Sequence, residues 1–144
     1  MLPYDAELEL FRDNFKRYMK EHIAPHYDQW EREGIMPRSV WNSLGENGFL
    51  CVDLPEEYGG YGVPTYYSLM LVEESARAGY GALSTAISCH SEIAAPYILN
   101  IGSEAQKQYW LPKMATGEVV GAIGMTEPGA GSDVQAMRLS LIHI

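Results

Sequence analysis

The chain of 144 residues is 47% apolar and carries a formal net charge of −9, because 19 acidic side chains outnumber 10 basic ones. That length suits one compact domain without disulfides, and the acidic balance argues against nucleic acid and anionic membrane surfaces as partners. Its two cysteines, Cys51 and Cys89, are too few for a disulfide framework or a four-cysteine zinc site, and they fit a reducing compartment.

The N-terminal residues are charged and show a helical repeat, without the apolar core of a signal peptide. No stretch approaches the roughly 18 consecutive apolar residues of a membrane span. We therefore expect a protein without a leader or a span, and a bacterial cytoplasm as its location.

Apolar residues recur at three- and four-residue steps from Leu8 onward, which predicts a long first helix over 5–32. Pro25 has no backbone N–H to donate, so we expect this helix to bend or break near Ala24. Gly34 is predicted to end the unit.

Three more helices are predicted before residue 101, over 38–47, 65–78 and 84–100. The apolar run 49–54 is expected to be extended, and the glycines and prolines of 55–64 predict a loop. The predicted core positions of the first two of these helices are Val40, Trp41, Leu44, Leu69, Leu71, Val72 and Ala76.

Ser103 and Gln106 have the spacing of a capping box, which predicts a helix from there to about Ala115. The pattern then changes, because 119–125 is short, apolar and without a helical repeat, so it is predicted to be a strand. One strand cannot form a sheet, which indicates the opening of a second domain.

The segment 124–133, GMTEPGAGSD, is a glycine-rich turn after this predicted strand. Gly129 and Gly131 can adopt positive φ and let a ligand approach the backbone, while Thr126 and Ser132 supply hydroxyls. The segment lacks the lysine of a P-loop and the final glycine of a dinucleotide-binding fingerprint. On these grounds alone, a ligand-binding loop and an ordinary turn are equally supported.

The stretch MTEPGAGSDV at 125–134 resembles the signature of the acyl-CoA dehydrogenase family without a gap. Residues 54–60, 102–107 and 111–118 are similar to further family segments. The segment 89–93 is most similar to the long-chain-type branch. The resemblance covers nearly the whole chain.

The resemblance implies a mainly α fold, with an N-terminal helical domain over 1–116 and the first strand of a truncated middle β-barrel domain over 117–138. It implies an FAD-dependent oxidoreductase that converts acyl-CoA thioesters to trans-2-enoyl-CoA. The family removes the α-proton to a glutamate base, while a hydride passes from the β-carbon to the flavin. The implied partners are the acyl-CoA substrate, an electron-transferring flavoprotein and other copies of the chain in a homotetramer.

The flavin-contacting residues that the resemblance implies are Ile123, Met125, Thr126, Gly131 and Ser132. Thr126 would hydrogen-bond the flavin ring, and the backbone near Met125 would face it. Gly131 and Ser132 would approach the diphosphate, and Ser132 would also touch the CoA part of the substrate. Asp133 is expected to hold the loop by accepting backbone amides.

Two departures from the family pattern accompany the resemblance. The family's catalytic glutamate lies in a C-terminal helical domain, so we expect no catalytic residue in this chain, Glu127 included. Residues 139–144 do not continue the family pattern and are expected to be an atypical, non-native tail. The chain is therefore expected to be a fragment that is not catalytic by itself.

Other interpretations stay open. An acyl-CoA oxidase or flavin monooxygenase of the same superfamily, or a non-catalytic helical binding module, fits the same residues. The small residues of 82–97 leave room for an acyl chain, or they only allow close helix packing. His90 is expected to be a semi-buried histidine with hydrogen-bond partners. His22 and His26 lack a third ligand, so no metal site is predicted.

Overall fold

The computed structural model describes residues 6–138, and the fold there is mainly helical, as predicted. Short π-helical turns interrupt two of the predicted helices, at Met19–Ile23 and Ser88–Ala94. The α-helices are α1 Ala6–Tyr18, α2 Tyr27–Glu33, α3 Arg38–Glu46, α4 Tyr66–Arg77, α5 Gly81–Ile87, α6 Ala95–Ile101 and α7 Glu104–Ala115.

The predicted break in the first helix is confirmed. After the π turn at Met19–Ile23, residues 24–26 form a turn around Pro25, and α2 begins at Tyr27. Gly34 ends α2 with a φ of 70°, in the left-handed region that glycine adopts at low cost.

The helix predicted over 84–100 begins earlier, at Gly81, and contains the π turn Ser88–Ala94 between α5 and α6. Pro96 lies in the first turn of α6. Because Pro96 has no N–H for the carbonyl four residues before it, the regular ladder cannot run through this point. The helical stretch 81–101 is therefore interrupted just before Pro96, where the backbone N–H donor is missing.

The capping box at the start of α7 is confirmed. The Gln106 N–H donates to Ser103 Oγ at 3.3 Å, and the Ser103 N–H donates to Gln106 Oε1 at 2.8 Å. Tyr58, in the 3-10 turn Glu56–Tyr58, donates its hydroxyl to Glu104 Oε1 at 3.0 Å. The predicted loop over 55–64 is thus attached to the first turn of α7.

The helices enclose a main apolar cluster and a smaller one beneath α7. Phe49 is central to the main cluster, with ring centroids 4.9 Å from Phe15 and 5.2 Å from Tyr18. The run 49–54 is buried, but the prediction that it is extended is wrong, because Cys51 has a φ of 52° and the Leu54 N–H closes a turn onto the Cys51 carbonyl.

The predicted core of α3 is confirmed, since its three apolar residues are buried. The predicted core of α4 is partly wrong: Leu71 is buried, but Leu69 is 49% exposed. Polar residues face inward on α4 because they have partners there, as when Ser75 donates to the Leu71 carbonyl at 2.7 Å. Thr65 precedes α4 and makes no side-chain cap hydrogen bond.

No strand forms over 119–125, nor anywhere else in residues 6–138, so the predicted first strand is not confirmed. A strand needs a partner for its backbone groups, and the described chain supplies only the single bridge between Glu127 and Ala130. Residues 139–144, which were predicted to be an atypical tail, lie outside the described residues. None of the helices within 6–138 is long and apolar enough to cross a membrane.

The turn that follows α7 packs directly on α3. Gly117 has a φ of 73°, and a Cβ there would lie 2.1 Å from the Trp41 carbonyl oxygen. A Cβ on Gly45 of α3 would lie 2.2 Å from the Thr116 carbonyl carbon. The two backbones therefore approach closely because glycine lies at both positions.

We predict that Gly117→Ala lowers the free energy of unfolding by about 3 kcal/mol or more, since it combines an unfavourable φ with overpacking against backbone. Gly79→Ala is the matched control, because Gly79 has a φ of 86° but open space around its Cβ position. That control should cost about 1–2 kcal/mol. Urea denaturation compares the two, and equal losses would contradict the close packing.

Candidate functional site

The residues predicted to contact a flavin lie together on one surface loop after the helices. Ile123 is 38% exposed and Met125 is 48% exposed. Thr126, Gly131 and Ser132 are exposed as well. The structure therefore brings the predicted residues onto one continuous, accessible segment.

A tight turn organises the middle of this loop. The Glu127 N–H donates to the Ala130 carbonyl at 3.0 Å, and the Ala130 N–H donates back to the Glu127 carbonyl at 3.1 Å. The Glu127 carboxylate also accepts the Arg138 N–H at 2.8 Å. Glu127 thus accepts a backbone amide in this loop, and the Asp133 side chain makes no cap hydrogen bond to the turn that follows it.

Gly129 and Gly131, which can adopt positive φ, do not do so in this loop. A Cβ at either position, or at Gly124, would meet nothing within 4 Å. Open space over backbone amides, with the Thr126 and Ser132 hydroxyls beside it, suits a ligand rich in hydrogen-bonding ring atoms and phosphate oxygens. The donor set of the loop therefore fits FAD.

His90 lies in the π turn Ser88–Ala94, between α5 and α6, and it joins this loop to the helices. Its Nδ1 accepts the Gly121 N–H at 2.9 Å, and its Nε2 lies 3.0 Å from the Met114 carbonyl oxygen. This pair of partners requires the neutral tautomer with the proton on Nε2. Burial lowers the pKa of His90, and the nearby Arg38 charge lowers it further, against the opposing effect of the Met114 carbonyl. The expected hydrogen-bond partners of His90 are confirmed, and the ring is fully buried where partial burial was expected.

The segment between α7 and this loop is also held by side chains of α3 and α7. The Arg38 guanidinium donates to the Glu118 carbonyl, and the Lys113 ammonium lies 3.7 Å from a Glu118 carboxylate oxygen. The Val119 N–H donates to the Lys113 carbonyl at 3.0 Å. Residues 116–121 therefore connect α7 to the loop, and these contacts hold the segment in place.

The carboxyl groups of Glu92, in the π turn Ser88–Ala94, and of Asp53 lie near each other. Ser68 of α4 donates its hydroxyl to Glu92, and the charge of Asp53 is near. Burial raises the pKa of Glu92 to about 7, and Asp53 adds to this. Burial also raises the pKa of Asp53. Glu92 is therefore largely protonated in the folded protein below neutral pH.

Cys51 lies beside this pair as a small core residue. Its N–H donates to Ser91 Oγ at 3.0 Å, and its side chain is buried. Burial raises the pKa of the Cys51 thiol to about 12, so the thiol stays protonated and unreactive at neutral pH. No cluster of potential metal ligands occurs within residues 6–138.

Sequence reasoning missed the connecting role of His90 and Arg38. A single polar residue on a helix gives no indication of which backbone groups it meets. The one available signal was His90 itself, a titratable side chain within a helical stretch made mostly of small residues.

The family model of the acyl-CoA dehydrogenase N-terminal domain matches residues 5–118. The mitochondrial long-chain specific acyl-CoA dehydrogenase of Sus scrofa is 38% identical over 94% of this chain, which spans 31% of that protein. The chain thus spans about a third of the length of this curated relative.

Two crystal structures of acyl-CoA dehydrogenases are similar. The one from Geobacillus kaustophilus is 45% identical, with a TM-score of 0.85, over 92% of this chain and 34% of its own. The one from Bacillus anthracis, complexed with FAD, is 30% identical, with a TM-score of 0.78, over 91% of this chain and 23% of its own.

We predict that Glu92→Gln stabilises the protein more at pH 8 than at pH 5. The folded state keeps the Glu92 proton up to a pKa of about 7, whereas the unfolded state releases it near 4.5. The stability that this proton contributes is therefore lost as the pH rises between those values, and the neutral amide avoids the loss.

Thermal unfolding of both proteins at the two pH values measures the effect. We expect Glu92→Gln to raise Tm relative to wild type by about 3–5 °C at pH 8 and much less at pH 5. The exposed Glu21→Gln is the control and should show no such difference. An equal change in Tm at both pH values would contradict a raised pKa at Glu92.

Proposed function

The chain belongs to the acyl-CoA dehydrogenase family, and from that premise we propose that it is the N-terminal part of an FAD-dependent acyl-CoA dehydrogenase. The proposed reaction is oxidation of an acyl-CoA thioester to trans-2-enoyl-CoA. Because the chain spans only 31% of its Sus scrofa relative, the activity is proposed for a longer protein of which this chain is one part.

The observation that carries the proposal is the exposed loop that follows residues 116–121. A Cβ on Gly124, Gly129 or Gly131 would meet nothing within 4 Å, and Thr126 and Ser132 are exposed residues. The similar Bacillus anthracis protein is complexed with FAD. We propose that 1–116 form the helical domain and that 117–138 begin the middle β-barrel domain.

We propose specific roles for the loop residues in binding FAD. The Thr126 hydroxyl hydrogen-bonds the flavin ring, and the backbone around Ile123 and Met125 faces it. Gly131 and Ser132 approach the diphosphate, and Ser132 also contacts the CoA part of the substrate. FAD supplies the hydride acceptor of the reaction, and the catalytic base comes from outside this chain.

The proposed partners follow from the same reaction. The acyl-CoA substrate binds beside the loop, and an electron-transferring flavoprotein takes up the electrons. A homotetramer is the proposed assembly of the longer protein, and a bacterial cytoplasm is its proposed location. The small residues of 82–97 are compatible with acyl-chain binding and with close helix packing, so they set no chain length.

The test is a graft in which residues 6–138 replace the matching part of the Geobacillus kaustophilus enzyme, which is 45% identical over the shared region. We expect the graft to purify with bound FAD and to lose its oxidised-flavin absorbance when an acyl-CoA is added. A folded graft without flavin would overturn the proposal. A graft that binds flavin and is reduced by no acyl-CoA would overturn the proposed reaction.

Thr126→Ala in this graft should weaken FAD binding roughly 3- to 10-fold, because it removes one hydrogen bond to the ring. Ser39→Ala is the matched control, since Ser39 is an exposed hydroxyl on α3, away from the loop. Fluorescence titration of each apoprotein with FAD gives the two affinities. Equal FAD affinities of the Thr126→Ala and Ser39→Ala grafts would show that the Thr126 hydroxyl does not bind the flavin.

The 144-residue chain by itself should retain little or no FAD. Its loop residues are mostly exposed, and the proposed site has no protein contacts beyond this loop within the described residues. Absorbance of the purified chain checks this expectation, and a yellow protein with stoichiometric flavin would contradict it.

A further inference from the structure

Gly121 is the point where the flavin loop leaves the helices. It lies two residues before Ile123, and its N–H donates to His90 Nδ1 at 2.9 Å. The next backbone hydrogen bonds along the described chain lie inside the loop, between Glu127 and Ala130. The contact with His90 is therefore the last hydrogen-bonded attachment before the loop.

The histidine is itself held in one orientation. His90 is 0% exposed, its Nε2 lies 3.0 Å from the Met114 carbonyl oxygen, and its ring centroid lies 5.3 Å from that of Trp41. A fixed Nε2–H donor leaves Nδ1 as an acceptor, aimed at Gly121. The ring therefore connects the C-terminal end of α7 to the start of the loop through its two hydrogen bonds.

The close approach also requires glycine at 121. A Cβ there would lie 2.7 Å from the Ala94 Cβ and 2.8 Å from the Met114 Cε. Val119 packs on the smaller cluster and Val120 on the main one. The segment before the loop is therefore confined by packing, and His90 provides its directional contact.

We propose that His90 is a positioning residue for the flavin: by binding the Gly121 N–H, it sets where Ile123, Met125 and Thr126 lie. This inference rests on the proposed function, because it assigns to His90 an effect on cofactor binding. The imidazole acts through Gly121 and touches neither flavin nor substrate.

Two substitutions separate the two hydrogen bonds of His90. In His90→Asn, the amide oxygen takes the place of Nδ1 and can still accept the Gly121 N–H. In His90→Gln, the amide nitrogen takes the place of Nε2 and can still donate to the Met114 carbonyl. A purely structural role predicts that the two variants lose flavin affinity in proportion to their loss of Tm.

The first measurement uses the 144-residue chain and amide hydrogen exchange detected by NMR. We expect the Gly121 amide to exchange slowly in wild type and in His90→Asn, and at least about tenfold faster in His90→Gln. Equal exchange rates at Gly121 in the two variants would show that Nδ1 does not hold this amide, and the inference would be overturned.

The second measurement is FAD affinity in the graft described above. We expect His90→Asn to bind within about twofold of wild type and His90→Gln to bind on the order of tenfold more weakly, because it leaves the part-buried Gly121 N–H without its acceptor. Tm is measured for both, so that affinity is compared at similar stability. Equal FAD affinities at similar Tm would overturn the inference.

The two failures remain distinguishable. If the wild-type graft binds no flavin, the proposed function fails, and the flavin role of His90 fails with it. If the wild-type graft binds flavin but the Asn and Gln variants bind it equally, only the positioning role fails.

Discussion

One neutral imidazole joins the parts of this structure that matter for its function. His90 meets the Met114 carbonyl at the end of α7 and the Gly121 N–H at the start of the loop, and both contacts require a single tautomer. Because the ring is buried, water cannot replace either partner, and losing one would leave a buried polar group unpaired. The geometry of the loop therefore depends on this side chain.

The packing around the connection explains why it can be so short. Gly45, Gly117 and Gly121 each face backbone or side-chain atoms at distances that leave no space for a Cβ. Backbone can then lie directly on α3 and on the π turn, and Arg38 binds the Glu118 carbonyl from the opposite side. The connection gains its order from close contact, without a sheet to hold it.

The polar interior near the π turn has a different character from the loop. Glu92 keeps a proton because burial and the neighbouring Asp53 disfavour its charge, and Cys51 stays a protonated thiol for the same physical reason. These groups therefore contribute hydrogen bonding and packing to the helices, and the accessible donors lie on the loop. Both sets of groups meet at the π turn Ser88–Ala94, which holds Glu92 and also His90, the partner of Gly121.

The amino-acid sequence by itself determined the features that depend on local chemistry. Pro25 interrupts the first helix because it lacks a donor, Ser103 and Gln106 cap α7 because their spacing matches the first turn, and 125–134 carries the family signature. Only the tertiary structure decided what depends on a partner distant in the chain. The segment 119–125 reads as a strand but forms none, because the described residues supply no strand to pair with it. Glu74 faces inward on α4 to meet Arg12, and His90 reaches Gly121, because packing brings to each a partner that periodicity cannot reveal.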